Sequence, residues 1–148
     1  MSSIAYATTD TIPKHQAFVY IGMNYAGPAT ASYSVETGSW GMSSNTSFSV
    51  VADVVPHGIK EQTTQWLGIK AYYTFHSEDK LCYMFYIAPK KSLNSTTELI
   101  EFGFNPNYTL SKNILLGITL GNQSFTGNEM NVFMSAGLVF LFNKQNKK

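Results

Sequence analysis

The chain has 148 residues and a formal net charge of +1 at pH 7, with 13% charged, 44% hydrophobic and 14% aromatic residues. This length fits one domain and is too short for two hydrophobic cores, and the charged fraction is about half of that in ordinary soluble domains. All of the basic residues are lysine, so there is no basic stripe and no guanidinium group to grip phosphates, which argues against a nucleic-acid partner.

Reactive side chains are few and scattered. The single cysteine, Cys82, cannot form an internal disulfide, and the three histidines lack the spacing of metal ligands. We therefore expect no metal and no other cofactor. A run of about 18 apolar residues is missing, which excludes a membrane-spanning helix but leaves a membrane-spanning β-barrel open.

The chain divides into a short lead, one domain and a tail. Residues 1–14 are small, polar and without periodicity, and they predict a flexible lead. The domain is expected over 15–143, followed by a basic C-terminal tail at 144–148. Within the domain, alternation of apolar and polar residues predicts eight strands. They are expected at 17–25, about 31–42, 46–55, 65–75, 81–88, 98 to a break at Pro106, 114–121 and 131–142.

Prolines are expected to end or interrupt two of these strands. The fifth strand is apolar on both faces, so its register cannot be predicted, and Pro89-Lys90-Lys91 is expected to end it. In the sixth strand, Pro106 lacks the N–H that a central ladder needs, so we expect a break or bulge there.

Short connections join all eight strands, which is typical of antiparallel neighbours in a meander. An open meander would leave two unpaired edges, and closing into a barrel removes both. The predicted fold is therefore all-β: an eight-stranded antiparallel up-and-down β-barrel.

Alternation alone does not decide which face of the barrel is outside, because soluble and membrane barrels turn opposite faces inward. The polar face carries only one charge in each of four strands, at Glu36, Asp53, Lys70 and Glu101, and is otherwise glycine, serine, threonine and asparagine. Such a face suits a cramped interior better than a water-exposed surface. We therefore expect the bulky apolar face to point outward into lipid.

The four inward charges are expected to form one buried cluster. In this hypothesis Lys70 is the cation shared by Glu36, Asp53 and Glu101, because buried charges require partners. The cluster serves mainly to satisfy the polarity of the interior. A gate or a proton path is the functional alternative.

The last strand has a pattern of its own. From Ser135 through Gly137 and Phe140 to Phe142, it resembles the C-terminal β-signal that the outer-membrane assembly machinery recognises in transmembrane β-barrels. With the predicted architecture, the chain resembles the small eight-stranded outer-membrane barrels of the OmpA and OmpX type. The resemblance implies a location in the outer membrane of a Gram-negative bacterium. It also implies contact with membrane lipid and lipopolysaccharide and with the assembly machinery, and it leaves membership of a larger outer-membrane complex as an alternative.

The expected function is non-enzymatic: a structural, adhesive or complex-subunit role, with a lumen plugged by side chains. His57, Lys60, Lys90 and Lys91 are the candidate contact residues in the loops. One alternative is a soluble calycin-like barrel that binds an apolar ligand inside. Another is a lipid A acyltransferase or deacylase, for which His57, Glu61, Ser92 and Ser95 are the candidate residues, although their order matches no known motif.

Overall fold

A computed structural model of the protein describes residues 16–26, 30–40, 45–56, 64–77, 80–125 and 130–142. These residues form eight strands: β1 (Gln16–Ala26), β2 (Thr30–Trp40), β3 (Thr46–Val55), β4 (Thr64–Ser77), β5 (Leu81–Ser92), β6 (Glu98–Ser111), β7 (Ile114–Phe125) and β8 (Met130–Phe142). The predicted lead and the basic tail lie outside the described residues. No helix in the described part of the chain is long and apolar enough to cross a membrane.

Every strand pairs antiparallel with the next one along the chain, and β1 pairs with β8 to close the barrel. The closing register runs from Ala17 opposite Phe142 to Ala26 opposite Phe133. Closure uses the hydrogen-bonding edge of both terminal strands, so the described sheet has no free edge. The predicted eight-stranded antiparallel barrel is confirmed. We call the end where β1 begins and β8 ends the terminal end, and the other the distal end.

The apolar face of the sheet points outward. In β3, for example, Phe48, Val50 and Val54 are 44%, 51% and 39% exposed, whereas Val51 and Asp53 on the opposite face are buried. The same alternation places large aliphatic and aromatic side chains on the outside of all the strands. The alternative of a calycin-like barrel is wrong, because it requires this face to line an internal cavity.

Strand β5 is longer than predicted and contains the largest departure from the sequence analysis. It continues through Pro89 to Ser92, and its buried side chains include Met84 and Lys90. The β4–β5 register passes from Gly68 opposite Lys90 directly to Ala71 opposite Ile87 without a shift. Proline lacks an N–H, so the ladder is interrupted at Pro89 but the strand does not end there.

Pro106 behaves in the same way. The β6–β7 register passes from Phe104 opposite Leu120 to Asn107 opposite Gly117 without a shift, and the irregularity in this ladder lies later, between Thr109 and Ser111. The expected break at Pro106 is therefore a gap in pairing within a continuous strand, and a bulge at Pro106 is ruled out. The missing N–H removes one bond without changing which side chains face inward.

Candidate functional site

The interior of the barrel holds five charged side chains, the most unusual feature of the described residues. Glu36, Asp53, Lys70, Lys90 and Glu101 are all buried, with at most 7% of each residue exposed. Three carboxylates thus face two ammonium groups. Because an unpaired buried charge is very costly, the stability of the barrel depends on how these groups are partnered.

Lys90 is the centre of the first group, near the distal end of the barrel. Its Nζ lies 2.7 Å from Glu101 Oε1 and also contacts Asp53 Oδ2. Asn24 Nδ2 donates to Asp53 Oδ1 at 3.3 Å, and Gln123 Nε2 donates to Glu101 Oε1 at 2.9 Å. This distal network links β1, β3, β5, β6 and β7 across the lumen, and it gives each carboxylate both a cation and an amide donor.

The second group is centred on Glu36, which is 1% exposed. Lys70 Nζ lies 3.3 Å from Glu36 Oε2, while Ser49 Oγ donates to Glu36 Oε1 at 2.5 Å and the Tyr72 hydroxyl donates to the same oxygen. The Lys70 ammonium also lies 5.0 Å from the ring centroid of Tyr72 and 4.4 Å from that of Tyr86. Three donors and two aromatic faces therefore stabilise this pair.

Neutral hydrogen bonds occupy other interior positions. Asn105 Nδ2 donates to Thr119 Oγ1 at 2.5 Å, Asn107 Nδ2 donates to Asn105 Oδ1 at 2.5 Å, and Tyr20 and Ser135 share a hydroxyl–hydroxyl bond of 2.5 Å. These bonds join β6 to β7 and β1 to β8. The interior is thus cross-linked by polar side chains in addition to the backbone ladders.

Toward the terminal end, the interior contains an apolar cluster beside neutral polar side chains such as Gln16, Ser47 and Asn107. Phe18, Met84, Leu115 and Val139 belong to one buried cluster with at most 6% of each residue exposed. Among the described residues, no group of three or more histidine, cysteine, aspartate or glutamate side chains is arranged to hold a metal ion. The chemistry that this interior supports is charge pairing and packing.

All four residues predicted for the interior cluster point inward, but the predicted sharing is wrong. Lys70 pairs with Glu36, and the cation shared by Asp53 and Glu101 is Lys90. Sequence reasoning missed Lys90 as an interior group because it follows a proline and precedes another lysine.

The prediction of Lys90 as an external loop contact is also wrong, since it is 5% exposed inside the barrel. Lys91 is exposed and faces outward, directly opposite Glu98 on β6. His57 and Lys60, the other loop candidates, lie outside the described residues.

The β-signal residues lie on β8, the closing strand. Ser135 bonds to Tyr20 from inside, and Gly137 pairs with Gly22 on β1 and with Gly117 on β7. A Cβ on Gly137 would lie 2.4 Å from the Ile21 carbonyl oxygen, so only glycine fits there. Phe142 points outward and is 55% exposed, and Phe140 is half-buried. Recognition of this segment by the assembly machinery stays a prediction.

Of the residues considered for an acyl-transfer site, the structure describes the two serines. Ser92 is buried and its Oγ accepts a bond from the Asn94 N–H, whereas Ser95 is exposed and its Oγ donates to Thr97 at 3.1 Å. His57 and Glu61 lie outside the described residues. The two serines therefore occupy different environments, and the acyl-transfer alternative stays a prediction.

Comparison with solved structures gives the same fold. A designed transmembrane β-barrel matches with a TM-score of 0.71 and 13% identity, over 87% of this chain and 97% of that one. The outer-membrane protein Ail of Yersinia pestis in a phospholipid nanodisc matches with a TM-score of 0.60 and 6% identity, over 87% and 100%. Neisserial surface protein A matches with a TM-score of 0.55 and 14% identity, over 86% and 96%.

No family model matches the chain, and the search of curated proteins finds no relative. At these identities the structural similarity establishes the fold alone, which is that of the small eight-stranded transmembrane β-barrels.

Proposed function

We propose that this protein is an outer-membrane β-barrel of a Gram-negative bacterium, with a lumen closed by its own side chains and a structural or adhesive role at the cell surface. The proposal rests on how side chains are distributed between the two faces of the sheet, which is the reverse of the arrangement in a soluble barrel. Large apolar side chains such as Val35, Ile69 and Ile87 are 51%, 60% and 52% exposed on the outside, while five charged residues are buried inside.

A wall of this composition suits lipid better than water. Among the described outward-facing strand positions, the charged ones are Lys91 and Glu98, which lie opposite each other near the distal end. The rest of the wall is free to contact hydrocarbon without desolvating a charge. Membrane lipid and lipopolysaccharide are therefore the proposed surroundings, and the outer-membrane assembly machinery is the proposed route of insertion.

The proposal of a closed lumen is supported by the two kinds of contact inside the barrel. Side chains bridge the distal half through Lys90 and its carboxylate partners, and the apolar cluster around Met84 occupies the terminal half. An eight-stranded barrel has room for little beyond its own side chains. General diffusion through it is not expected.

The adhesive role is supported by the distal connections. The β3–β4 connection at 56–63, at the distal end, is longer than each of the terminal-end connections at 41–45, 78–80 and 112–113, and long connections at one end are typical of outer-membrane barrels. Leu93, in the distal β5–β6 connection, is 61% exposed. Ail, which has the same fold, is described as an attachment invasion locus protein. Membership of a larger membrane complex is the alternative role.

The test is refolding of urea-unfolded protein in plain buffer and, in parallel, in detergent micelles, followed by far-UV circular dichroism. We expect β-structure and a cooperative melt only with micelles, because the apolar wall needs an apolar solvent. Ile69→Lys, which places a charge on the wall, should weaken folding in micelles, whereas Lys91→Ile should not. Clean folding in buffer would refute the membrane assignment.

The closed lumen and the surface role need separate measurements. In planar bilayers we expect no steady ion current through the wild-type protein, and an open current would contradict the closed lumen. The full chain would be displayed on a Gram-negative bacterium, with and without replacement of 93–97 by a glycine-serine turn. Attachment of these bacteria to the cells of a host organism should depend on that segment. Attachment that is unaffected by the replacement would exclude this segment as the adhesive surface, and absence of attachment by the wild-type protein would favour the complex-subunit role.

A further inference from the structure

The described interior of the barrel carries more negative than positive groups. Glu36 and Lys70 form a neutral pair. In the distal network, however, the ammonium group of Lys90 contacts two carboxylates, those of Asp53 and Glu101, and the other described donors are neutral amides. With two carboxylates and one ammonium group, the distal network has a net charge of −1 when both carboxylates are ionised.

Apolar side chains enclose this charge on its distal side. On β6, Leu99 is the inward residue just distal to Glu101 and is 3% exposed. On β7, Phe125 follows Gln123 in the same way, and its ring meets that of Trp66 edge to face, with the centroids 5.9 Å apart. Because β4 and β7 are not neighbours, this aromatic contact crosses the lumen. An uncompensated charge is costly in such a site, so the network requires a further positive group.

The other side of Glu101 has a buried hydroxyl group without a described partner. Tyr86 is 4% exposed, and its hydroxyl makes no hydrogen bond with any described residue. A Cβ on Gly121 would lie 2.7 Å from the hydroxyl oxygen of Tyr86. Gly103 and Gly121 are the next inward pair after Glu101 and Gln123 in the β6–β7 ladder. The Tyr86 hydroxyl therefore lies next to the pair that Glu101 forms with Gln123.

Glu101 also has an oxygen for another partner. Its contacts with Lys90 and Gln123 are both made by Oε1, and no donor among the described residues contacts Oε2. Carboxylate and hydroxyl oxygens are ligands that hard cations accept. The described residues hold no cluster of three or more acidic, histidine or cysteine side chains for a metal ion. This donor set and the net charge of the network both favour a singly charged ion over a divalent one.

We propose that the distal network binds one monovalent alkali cation, Na⁺ or K⁺, between Glu101 Oε2 and the Tyr86 hydroxyl oxygen. The ion neutralises the second carboxylate, and Lys90 and the ion occupy different oxygens of Glu101. The ion is a structural part of the closed lumen, and it stabilises the barrel because the unfolded chain has no such site. The inference goes beyond the proposed surface role and shares with it the folded barrel in an apolar surrounding.

The experiment is urea unfolding of the full chain at neutral pH in micelles of a zwitterionic detergent. The buffer contains NaCl, KCl or N-methylglucamine chloride at equal ionic strength, and the organic cation is too large for the site. We expect the unfolding equilibrium constant of the wild-type protein to be about tenfold smaller in the better of the two alkali salts than in N-methylglucamine chloride, as for an ion at about ten times its Kd.

Three variants locate the ion. Glu101→Gln removes the charge that holds it and should abolish the difference between the salts. The matched control is Glu98→Gln on the same strand, because Glu98 is exposed on the outer wall, and it should keep the full difference. Tyr86→Phe keeps the ring over Gly121 and removes the oxygen, so it should reduce the difference several-fold. If Glu101→Gln does not fold, thallium-205 NMR of the wild-type protein should show a bound Tl⁺ signal that KCl displaces.

Equal stability of the wild-type protein in the three salts, or no bound Tl⁺ signal, overturns this inference and leaves the proposed function intact. A difference between the salts that persists in Glu101→Gln, or that Glu98→Gln abolishes, would assign the effect to the outer surface and also overturn it. Stability that is the same in all salts but increases on mild acidification would show that a proton supplies the missing charge. Failure of the wild-type protein to fold in micelles would instead refute the proposed function.

Discussion

The two ends of the barrel interior are stabilised by different interactions among the described side chains. Toward the terminal end, Phe18, Met84 and Leu115 pack in one apolar cluster, whereas near the distal end Lys90 forms ion pairs with Asp53 and Glu101. Packing tolerates a partial loss, because the neighbours of a truncated side chain relax toward the gap. A buried ionic network does not, because a lost cation leaves its carboxylates desolvated and unpaired.

This difference predicts which half of the interior is more sensitive to single substitutions. In a membrane, apolar side chains gain little by leaving lipid for the lumen, since lipid tails are as apolar as leucine. The apolar cluster therefore contributes mainly shape and dispersion contacts. The distal network contributes contacts that no lipid can replace, and its loss should have the larger effect.

The largest effect is expected for Lys90→Met. This substitution leaves Asp53 and Glu101 buried without their shared cation, so the free energy of unfolding should fall by about 3–5 kcal/mol. The measurement is urea unfolding in micelles, followed by the fluorescence of the two tryptophans, Trp40 and Trp66. Lys91→Met is the control, because Lys91 is adjacent in sequence but exposed on the outside, and it should change stability by less than about 0.5 kcal/mol.

The reason for this loss can be tested in the same background. Removing both negative charges as well, in Lys90→Met with Asp53→Asn and Glu101→Gln, should recover much of the lost stability, because neutral amides are cheaper to bury than unpaired carboxylates. If the triple variant is as unstable as Lys90→Met alone, the lysine stem matters for packing and the charge does not.

A smaller effect is expected for Met84→Ala at the apolar end. Met84 is 1% exposed, and its truncation leaves a cavity that should lower the free energy of unfolding by about 2–3 kcal/mol, in the lower part of the range for such changes. Met134→Ala is the matched control, because Met134 is 54% exposed on the outer wall, where lipid refills the lost volume. Equal losses for the two methionines would show that the apolar cluster is not packed.

Much of this fold could be predicted because apolar and polar residues alternate clearly in most strands. In β3 and β4 the two faces differ in composition, so the pattern predicted both the strand and the face that points outward. In β5 both faces are apolar, and Pro89 was interpreted as a terminator. A proline removes one ladder bond but does not change the pleat, and local sequence does not show whether the neighbouring strands hold it in place.

The position of Lys90 could have been found by counting charges rather than by periodicity. In the strands whose inward face could be predicted, Glu36, Asp53 and Glu101 point inside and Lys70 is the single lysine with them. Three buried carboxylates need more than one cation. The remaining lysines in or beside a strand are Lys80, Lys90, Lys91 and Lys112. Which carboxylate pairs with which lysine could not be predicted, because it depends on the stagger between strands around the whole barrel.

The smallest effect is expected for Lys70→Met, which tests whether the two ionic groups are equivalent. Glu36 keeps the Ser49 and Tyr72 hydroxyl donors after this change, so the free energy of unfolding should fall by about 1.5–2 kcal/mol, in the lower part of the range for one hydrogen bond to a charged group. Methionine also preserves contact with the Tyr72 and Tyr86 rings through its sulfur.

The same urea titration provides the comparison with Lys90→Met. A loss for Lys70→Met as large as that for Lys90→Met would show that the hydroxyl donors do not compensate for the ammonium group. In that case the two ionic groups are equally sensitive to loss of their lysine. The greater sensitivity expected near the distal end would then apply to the middle of the barrel as well. A further Tyr72→Phe change in the Lys70→Met background should then be nearly neutral, whereas compensation by hydroxyls predicts an added loss, since Glu36 would keep only the Ser49 donor among those described.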